Sequence, residues 1–409
     1  MALSLNNKSC NRSPKMGILY FVLFCLLLSS CNTQPKKEFS TNSCINSFDS
    51  FAYKSPKEKI TNQERFLPQQ PWEKVSAIPK GITDEGLSYF LETTRLFEDH
   101  IEVWLINRSR NFYDYERNPS SVYYLAYRTD LQTWQKIPAQ IDDTNIFVGK
   151  LFVTDDGSIW GQNYWGIKTK EIETYPLSKY NEDTGKFELF TKTPKLPLFN
   201  NDDWAIISLE KKESFWIFIN GDAVYYYSIL NNKFEEMGEL PNIIVSDVAF
   251  DSSGNIYIKN KLAAMNLSIT KDELSIFKPS TNELIKLSPP TQYWPNFWGL
   301  LIDHNDRLWL GSVGWREING QWNRLVPNIG LYWWKVYIEA DYRWIPPQII
   351  MESSNGNLWF GGENDRGVAW MNLETGESCW FTTINTNVVE DVQNTIWINS
   401  DTDLYKYSQ

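Results

Sequence analysis

From residue 96 onward the chain alternates short apolar runs with polar turns, and one arrangement recurs: an apolar run, an acidic or polar turn, then an aromatic flanked by aliphatics. The clearest copies are Asp251-Ser-Ser-Gly254-Asn-Ile-Tyr257, Asp303-His-Asn-Asp-Arg-Leu-Trp309 and Ser354-Asn-Gly356-Asn-Leu-Trp359. Weaker ones end at Trp104, Trp160, Trp216 and Trp397. Each copy predicts an inner strand A, a hairpin turn of residues that tolerate the required backbone geometry, and a second strand B beginning at the aromatic anchor. The anchors lie 38 to 56 residues apart. A four-stranded blade takes about 40–50 residues, so the longer intervals imply loop insertions.

A second hairpin follows each of the first six anchors and supplies strands C and D. It is visible in Tyr180 to Phe187, Tyr227 to Phe234, Phe277 to Asn282 and Met371 to Gly376, and again in Tyr127 to Trp134 and Trp315 to Trp322. The seventh copy stops at Leu404-Tyr-Lys-Tyr407, with a C strand but no D. Pro71-Trp-Glu-Lys-Val75 has the look of Thr133-Trp-Gln-Lys-Ile137 and Gln321-Trp-Asn-Arg-Leu325, so residues 71–76 are expected to complete that last blade. A blade shared between first and last strands locks a ring that sequence-local contacts would leave free to open. The expectation is an all-β, seven-bladed β-propeller of four-stranded antiparallel blades over residues 71–409. No long amphipathic helix is legible.

The N-terminus belongs to a different regime. Lys8, Arg12 and Lys15 precede an apolar run from Gly17 to Leu28 that is short for a bilayer span, and residues 1–30 read as a secretory signal. Leu28-Ser-Ser-Cys31 resembles the lipobox of bacterial lipoproteins. The resemblance implies cleavage before Cys31 and diacylglycerol on its thiol; two or three acyl chains anchor durably where one is marginal. In Gram-negative lipoproteins an Asp after the cysteine often signals inner-membrane retention, so Asn32 favours the outer membrane. Residues 31–70, with little periodicity, read as a lipid-bearing tether in which order is possible near Cys44.

Setting aside the three basic signal residues leaves 36 Lys and Arg against 50 Asp and Glu. That balance repels phosphate backbones and argues against a nucleic-acid partner. With Cys31 acylated, Cys44 and Cys379 remain after the signal, and they either form a disulfide or stay as two thiols, because spacing alone cannot place their Cα atoms.

The form Asp-x-x-Gly-x-Leu-Trp-Ile-Gly-Thr is similar to the repeats of two-component regulator propellers, the periplasmic sensory part of some bacterial hybrid kinases. Trp309-Leu-Gly311-Ser312 and Trp359-Phe-Gly361-Gly362 match it best, Trp160-Gly161 matches partly, and the other four copies depart. No kinase or DNA-binding segment follows, so the relay of those receptors is not implied. Streptogramin lyases are built of similar repeats and rely on closely placed histidines, a Glu and a divalent metal. This chain has only His100 and His304, and it carries no zinc-type Cys/His spacing, phosphate-cradling Gly loop or Gly-x-Ser-x-Gly elbow. No cofactor, metal or catalytic residue is therefore assigned.

Turn and anchor demands account for the repeated Asp, Gly and Trp, so function is sought where the chain departs from its repeat. The largest departures are two D-to-A connections, one with Trp294 and Trp298, the other with Trp333, Trp334, Glu339, Asp341 and Trp344. Rings beside carboxylates suit a glycan, a peptide or an envelope protein; they suit equally a cap on the inter-blade core. Asp114, Glu116, Asp142, Asp143, Asp202 and Asp203 are expected to point to the same face. The leading expectation is a membrane-anchored binding or sensing scaffold. The alternative is a polysaccharide-active hydrolase or lyase using carboxylates of that face.

Overall fold

In a computed structural model the described residues are 42–45, 72–79, 87–109, 122–165, 172–198, 205–219, 223–240, 243–261, 272–288, 299–324, 348–361, 368–381 and 387–408, less a few positions inside those spans. Every regular element among them is a β-strand. No helix there is long and apolar enough to cross a membrane.

Strand β1 is Asn42–Ile45 and β2 is Glu73–Ala77. The first meander runs β3 (Leu87–Leu96), β4 (Ile101–Ser109), β5 (Tyr123–Arg128) and β6 (Thr133–Pro138), paired in that order. The next contains β7 (Ile146–Val153) and β8 (Ile159–Trp165), then a detour through β9 (Ile172–Thr174), then β10 (Leu177–Asn181) and β11 (Lys186–Leu189). After it β12 (Leu196–Leu198) returns to pair with β9 in a two-stranded ribbon that the repeat did not foretell. Two regular meanders follow. The first is β13 (Ala205–Glu210), β14 (Ser214–Ile219), β15 (Ala223–Ser228) and β16 (Lys233–Glu239). The second is β17 (Val245–Phe250), β18 (Ile256–Lys261), β19 (Asp272–Lys278) and β20 (Glu283–Leu287). A shorter one has β21 (Leu300–Ile302), β22 (Leu308–Leu310), β23 (Gly314–Arg316) and β24 (Trp322–Arg324).

The next sheet holds β25 (Gln348–Glu352), β26 (Leu358–Gly361), β27 (Val368–Met371) and β28 (Ser378–Phe381), and β1 joins it as a fifth strand on the outer edge of β28. Residues 42–45, inside the stretch expected as tether, are thus part of a blade. The last sheet has β29 (Val389–Glu390), β30 (Thr395–Asn399) and β31 (Asp403–Ser408), with β2 paired antiparallel to β31 so that Lys74 stands opposite Tyr405. The Trp72 ring lies 5.3 Å from that of Tyr407.

All seven anchor aromatics sit in the second strand of their sheets, as their spacing predicts. Burial explains the composition of these strands. The second strand β14, Ser-Phe-Trp-Ile-Phe-Ile, is buried at every position, whereas outer strand β6 exposes most of its residues. A strand packed on both faces reads as a continuous apolar run, and one at the rim reverts to polar positions. Cores form between successive sheets: Phe152 and Trp160 of one pack with Ile207, Phe215 and Ile217 of the next. In the same way Trp397 and Leu404 of the last pack with Tyr89, Leu91 and Leu105 of the first.

Inner strands carry a recurrent irregularity. Register slips between Leu91 and Thr93, Val148 and Lys150, Val245 and Asp247, and Ile349 and Met351. A bulge adds local twist to the strand that carries it. In β7 the extra residue is Gly149, where a Cβ would collide with the Tyr164 ring. On the partner strand β8, a Cβ on Gly161 would strike Val148.

Candidate functional site

In three blades the turn between the first two strands is built by one Asp side chain, Asp251, Asp303 or Asp391, that accepts two backbone N–H groups. Asp303 Oδ1 accepts the N–H groups of Asn305 and Arg307, both at 3.0 Å, and its Oδ2 accepts the Trp309 indole N–H at 2.8 Å. Asp391 does the same for Gln393, Thr395 and Trp397, the indole at 2.7 Å. Six residues before their anchors, Ser353 and Glu210 accept from Trp359 and Trp216. Thr154 holds that place before Trp160, but its hydroxyl goes to Asp156, and the buried Trp160 Nε1 has no hydrogen-bond partner among the described residues. Three residues before the anchor the backbone is left-handed in five copies, at Gly157, Gly254, Asp306, Gly356 and Asn394. These repeated residues are structural.

The next turn residue ties one blade to its neighbour. Ser252 donates its N–H to Asp306 at 2.8 Å, and Ser354 its N–H to Glu390 at 2.9 Å. His304 donates its N–H to Glu352 at 2.7 Å, and its Nδ1 stands 2.5 Å from the other oxygen of that carboxylate. The Glu352 contact raises the half-exposed His304 imidazole above its usual pKa. Deeper in, Asp247 on β17 accepts the N–H of Leu300 on β21 at 2.9 Å. Burial pushes its carboxyl up, against the opposing pull of Lys150 and Lys259.

A polar cluster surrounds the β3–β4 turn. The Arg95 guanidinium pairs with Glu182 of the neighbouring sheet and lies 3.9 Å from the Phe97 ring centroid. Phe97 stacks on His100 at 4.4 Å. His100 Nδ1 meets Asp99 at 2.6 Å, while its buried Nε2 stands 4.0 Å from Glu102 and makes no hydrogen bond among the described residues. Glu102 accepts the Trp104 indole N–H at 3.1 Å, and burial raises its pKa despite that bond. Ligand atoms of Asp99, His100 and Asp130 lie within 4.8 Å of one another, a donor set a divalent cation could use. Arg128, however, forks onto both Asp130 oxygens, at 3.3 and 2.9 Å, and already supplies the positive charge there. The cluster is best read as a closed ion network joining two blades. Asp99-His100 is visible in the sequence, whereas Asp130 and Glu182 arrive from later hairpins and carry no sequence signal.

Cys31, Trp294, Trp298, Trp333, Trp334, Glu339, Asp341 and Trp344 lie outside the described residues, as do Asp114, Glu116, Asp143, Asp202 and Asp203. Asp142 is an exposed turn residue with φ of 47°. Cys44 and Cys379 occupy facing positions of β1 and β28.

No family model matches the chain, and no curated protein does. Its fold is shared by solved structures. Virginiamycin B lyase from Staphylococcus aureus is similar at 14% identity and a TM-score of 0.51, over 82% of this chain and 97% of that one. YCF48 bound to D1 peptide is similar at 12% identity and 0.51, over 84% and 96%. The extracellular domain of a hybrid two component system from B. thetaiotaomicron is similar at 13% and 0.50, over 82% of this chain and 39% of that one. Likeness at such identities concerns the fold: the chain is an all-β propeller of four-stranded antiparallel blades.

Proposed function

We propose that this chain is a cell-envelope scaffold that binds a peptide, a protein or a glycan through one face of a seven-bladed ring, held at the membrane by a lipid on Cys31. The observation that carries the binding face is topological. The segment with Trp294 and Trp298 joins outer strand β20 to inner strand β21, and the one with Trp333, Trp334, Glu339, Asp341 and Trp344 joins β24 to β25. Strands β17, β21 and β25 neighbour one another in succession. Both insertions therefore leave and re-enter successive blades at the edge opposite the Asp-capped turns, which favours one shared aromatic and acidic surface. That YCF48 has been solved with D1 peptide supports a polypeptide as one kind of ligand for such a frame.

The seven-blade count is favoured by the seven anchors in seven successive sheets. Closure by the N-terminal strand is favoured by the β2–β31 pairing and by β29 lying beside β3. The lipid rests on the resemblance at Leu28-Ser-Ser-Cys31.

Two experiments test the reading. Replacing Trp294, Trp298, Trp333, Trp334 and Trp344 by Ala is expected to abolish capture of envelope components by the purified protein while leaving its thermal unfolding unchanged; undiminished capture would move the binding face elsewhere. Labelled fatty acid is expected in the wild-type chain and absent from Cys31→Ser. Release of sugars from envelope polysaccharide, lost in Glu339→Gln or Asp341→Asn, would replace the binding role with the hydrolase or lyase reading.

A further inference from the structure

We infer that Cys44 and Cys379 form a disulfide that staples the N-terminal segment to the rim of one blade. Strand β1 pairs with β28 in a register that sets Asn42 opposite Phe381, Ser43 opposite Trp380, Cys44 opposite Cys379 and Ile45 opposite Ser378. Directly opposed residues of an antiparallel pair have Cα atoms about 4.5 or about 5.5 Å apart. A disulfide spans Cα separations of about 4.4–6.8 Å, so both kinds of opposed pair fall within its reach. Residues opposed across a sheet also share a face. In this sheet Met351, Trp359, Trp370, Cys379 and Cys44 form one transverse row. Trp359 and Trp370 of that row pack with Trp72 and Tyr405 of the next blade.

A reason for the bond follows from the size of β1. A strand of four residues on a blade edge, separated from β2 by residues 46–71, has few backbone pairs to set against its conformational entropy. A cross-link at its centre lowers that cost by constraining the unfolded chain. In forming it, each thiol gives up one proton and one electron as the Sγ–Sγ bond is made. A disulfide-bearing oxidant takes them up and becomes a dithiol. Such oxidants act outside the cytosol, the address that the sequence implies.

One consequence rests on the anchored reading above. From a lipidated Cys31 to the rim at Asn42 is 11 residues, a reach of at most about 40 Å, against about 140 Å if the chain were first held at Trp72. The disulfide itself does not depend on the lipid.

The test uses the full chain recovered from the envelope of the producing cell, alkylated without reductant, digested and mapped by mass. The expected result is a pair of linked peptides, one with Cys44 and one with Cys379, lighter by two hydrogens than the two free thiol peptides. Limited proteolysis within residues 46–71 should leave the N-terminal fragment attached until reductant is added, and Cys44→Ser should release it without reductant. Quantitative alkylation of both thiols would overturn the proposal, and so would a Cys44–Cys44 linkage between two copies. Should Cys379→Ser fail to fold, Cys44→Ser still decides, because β1 is an edge strand paired on one side only. A linked pair in a chain that takes up no fatty acid would keep the staple and reject the anchor.

Discussion

Asp303 shows how much one side chain can organise: its two oxygens satisfy two backbone donors of a tight turn and fix the indole of a fully buried tryptophan. Removing it leaves buried donors unsatisfied, a loss of about 1–3 kcal/mol each. Asp303→Ala should therefore lower the urea midpoint of unfolding clearly, whereas substitution of exposed Asp142 should leave it within error. The latch at His304 makes a distinct prediction about pH. Glu352 raises the folded-state pKa of this imidazole, so its stabilisation is fully present below the unfolded-state value of about 6.5 and is lost as pH rises through the folded value. The difference in urea midpoint between the wild type and Glu352→Gln should shrink from about pH 6 to about pH 8. A constant difference would mean that the His304 side chain adds nothing to the backbone bond. The Asp-to-Trp spacing is written in the sequence; its use as a hydrogen bond is not, and Thr154 before Trp160 shows the same spacing without it.

At the scale of the element, the strands were legible because each hairpin pairs residues only a few positions apart, so pattern and structure are set by the same local stretch. The bulges were not, because they answer to crowding between strands. Gly161 and Val148 illustrate the point from opposite sides of the β7–β8 pair. Gly161→Ala should cost about 1–3 kcal/mol by overpacking. Val148→Ala in the same chain should recover part of that loss, and a double-mutant cycle reads the coupling directly. Additive effects would mean that the two sites do not touch. The β9–β12 ribbon and the docking of β1 also escaped the repeat, since neither belongs to the unit that recurs.

For the whole molecule, the decisive contacts join residues about three hundred positions apart. Asn399 on β30 accepts the N–H of Leu91 at 3.1 Å and donates to the Tyr89 carbonyl at 2.8 Å. Trp72, 6% exposed, packs with Trp359, Ile396, Ile398 and Tyr405. Trp72→Ala should cost about 3–5 kcal/mol by cavity formation. A chain beginning at residue 79 should lose β2, leave β31 as an open edge and self-associate on size-exclusion chromatography; a monomer with unchanged melting would argue against closure by this strand. The sequence by itself determined that the chain is a row of β-hairpins, where each hairpin begins, and which aromatic anchors each one, because apolar alternation and turn chemistry act within a dozen residues. Only the tertiary structure decided which blade adopts β1, which acid answers His304, and that Asp130 and Glu182 join the cluster around His100. The His304 and Glu182 pairings depend on how the blades stack side by side, whereas β1 and Asp130 are brought in within a sheet by strands and turns that are not neighbours in sequence; in each case the separation along the chain carries no pattern.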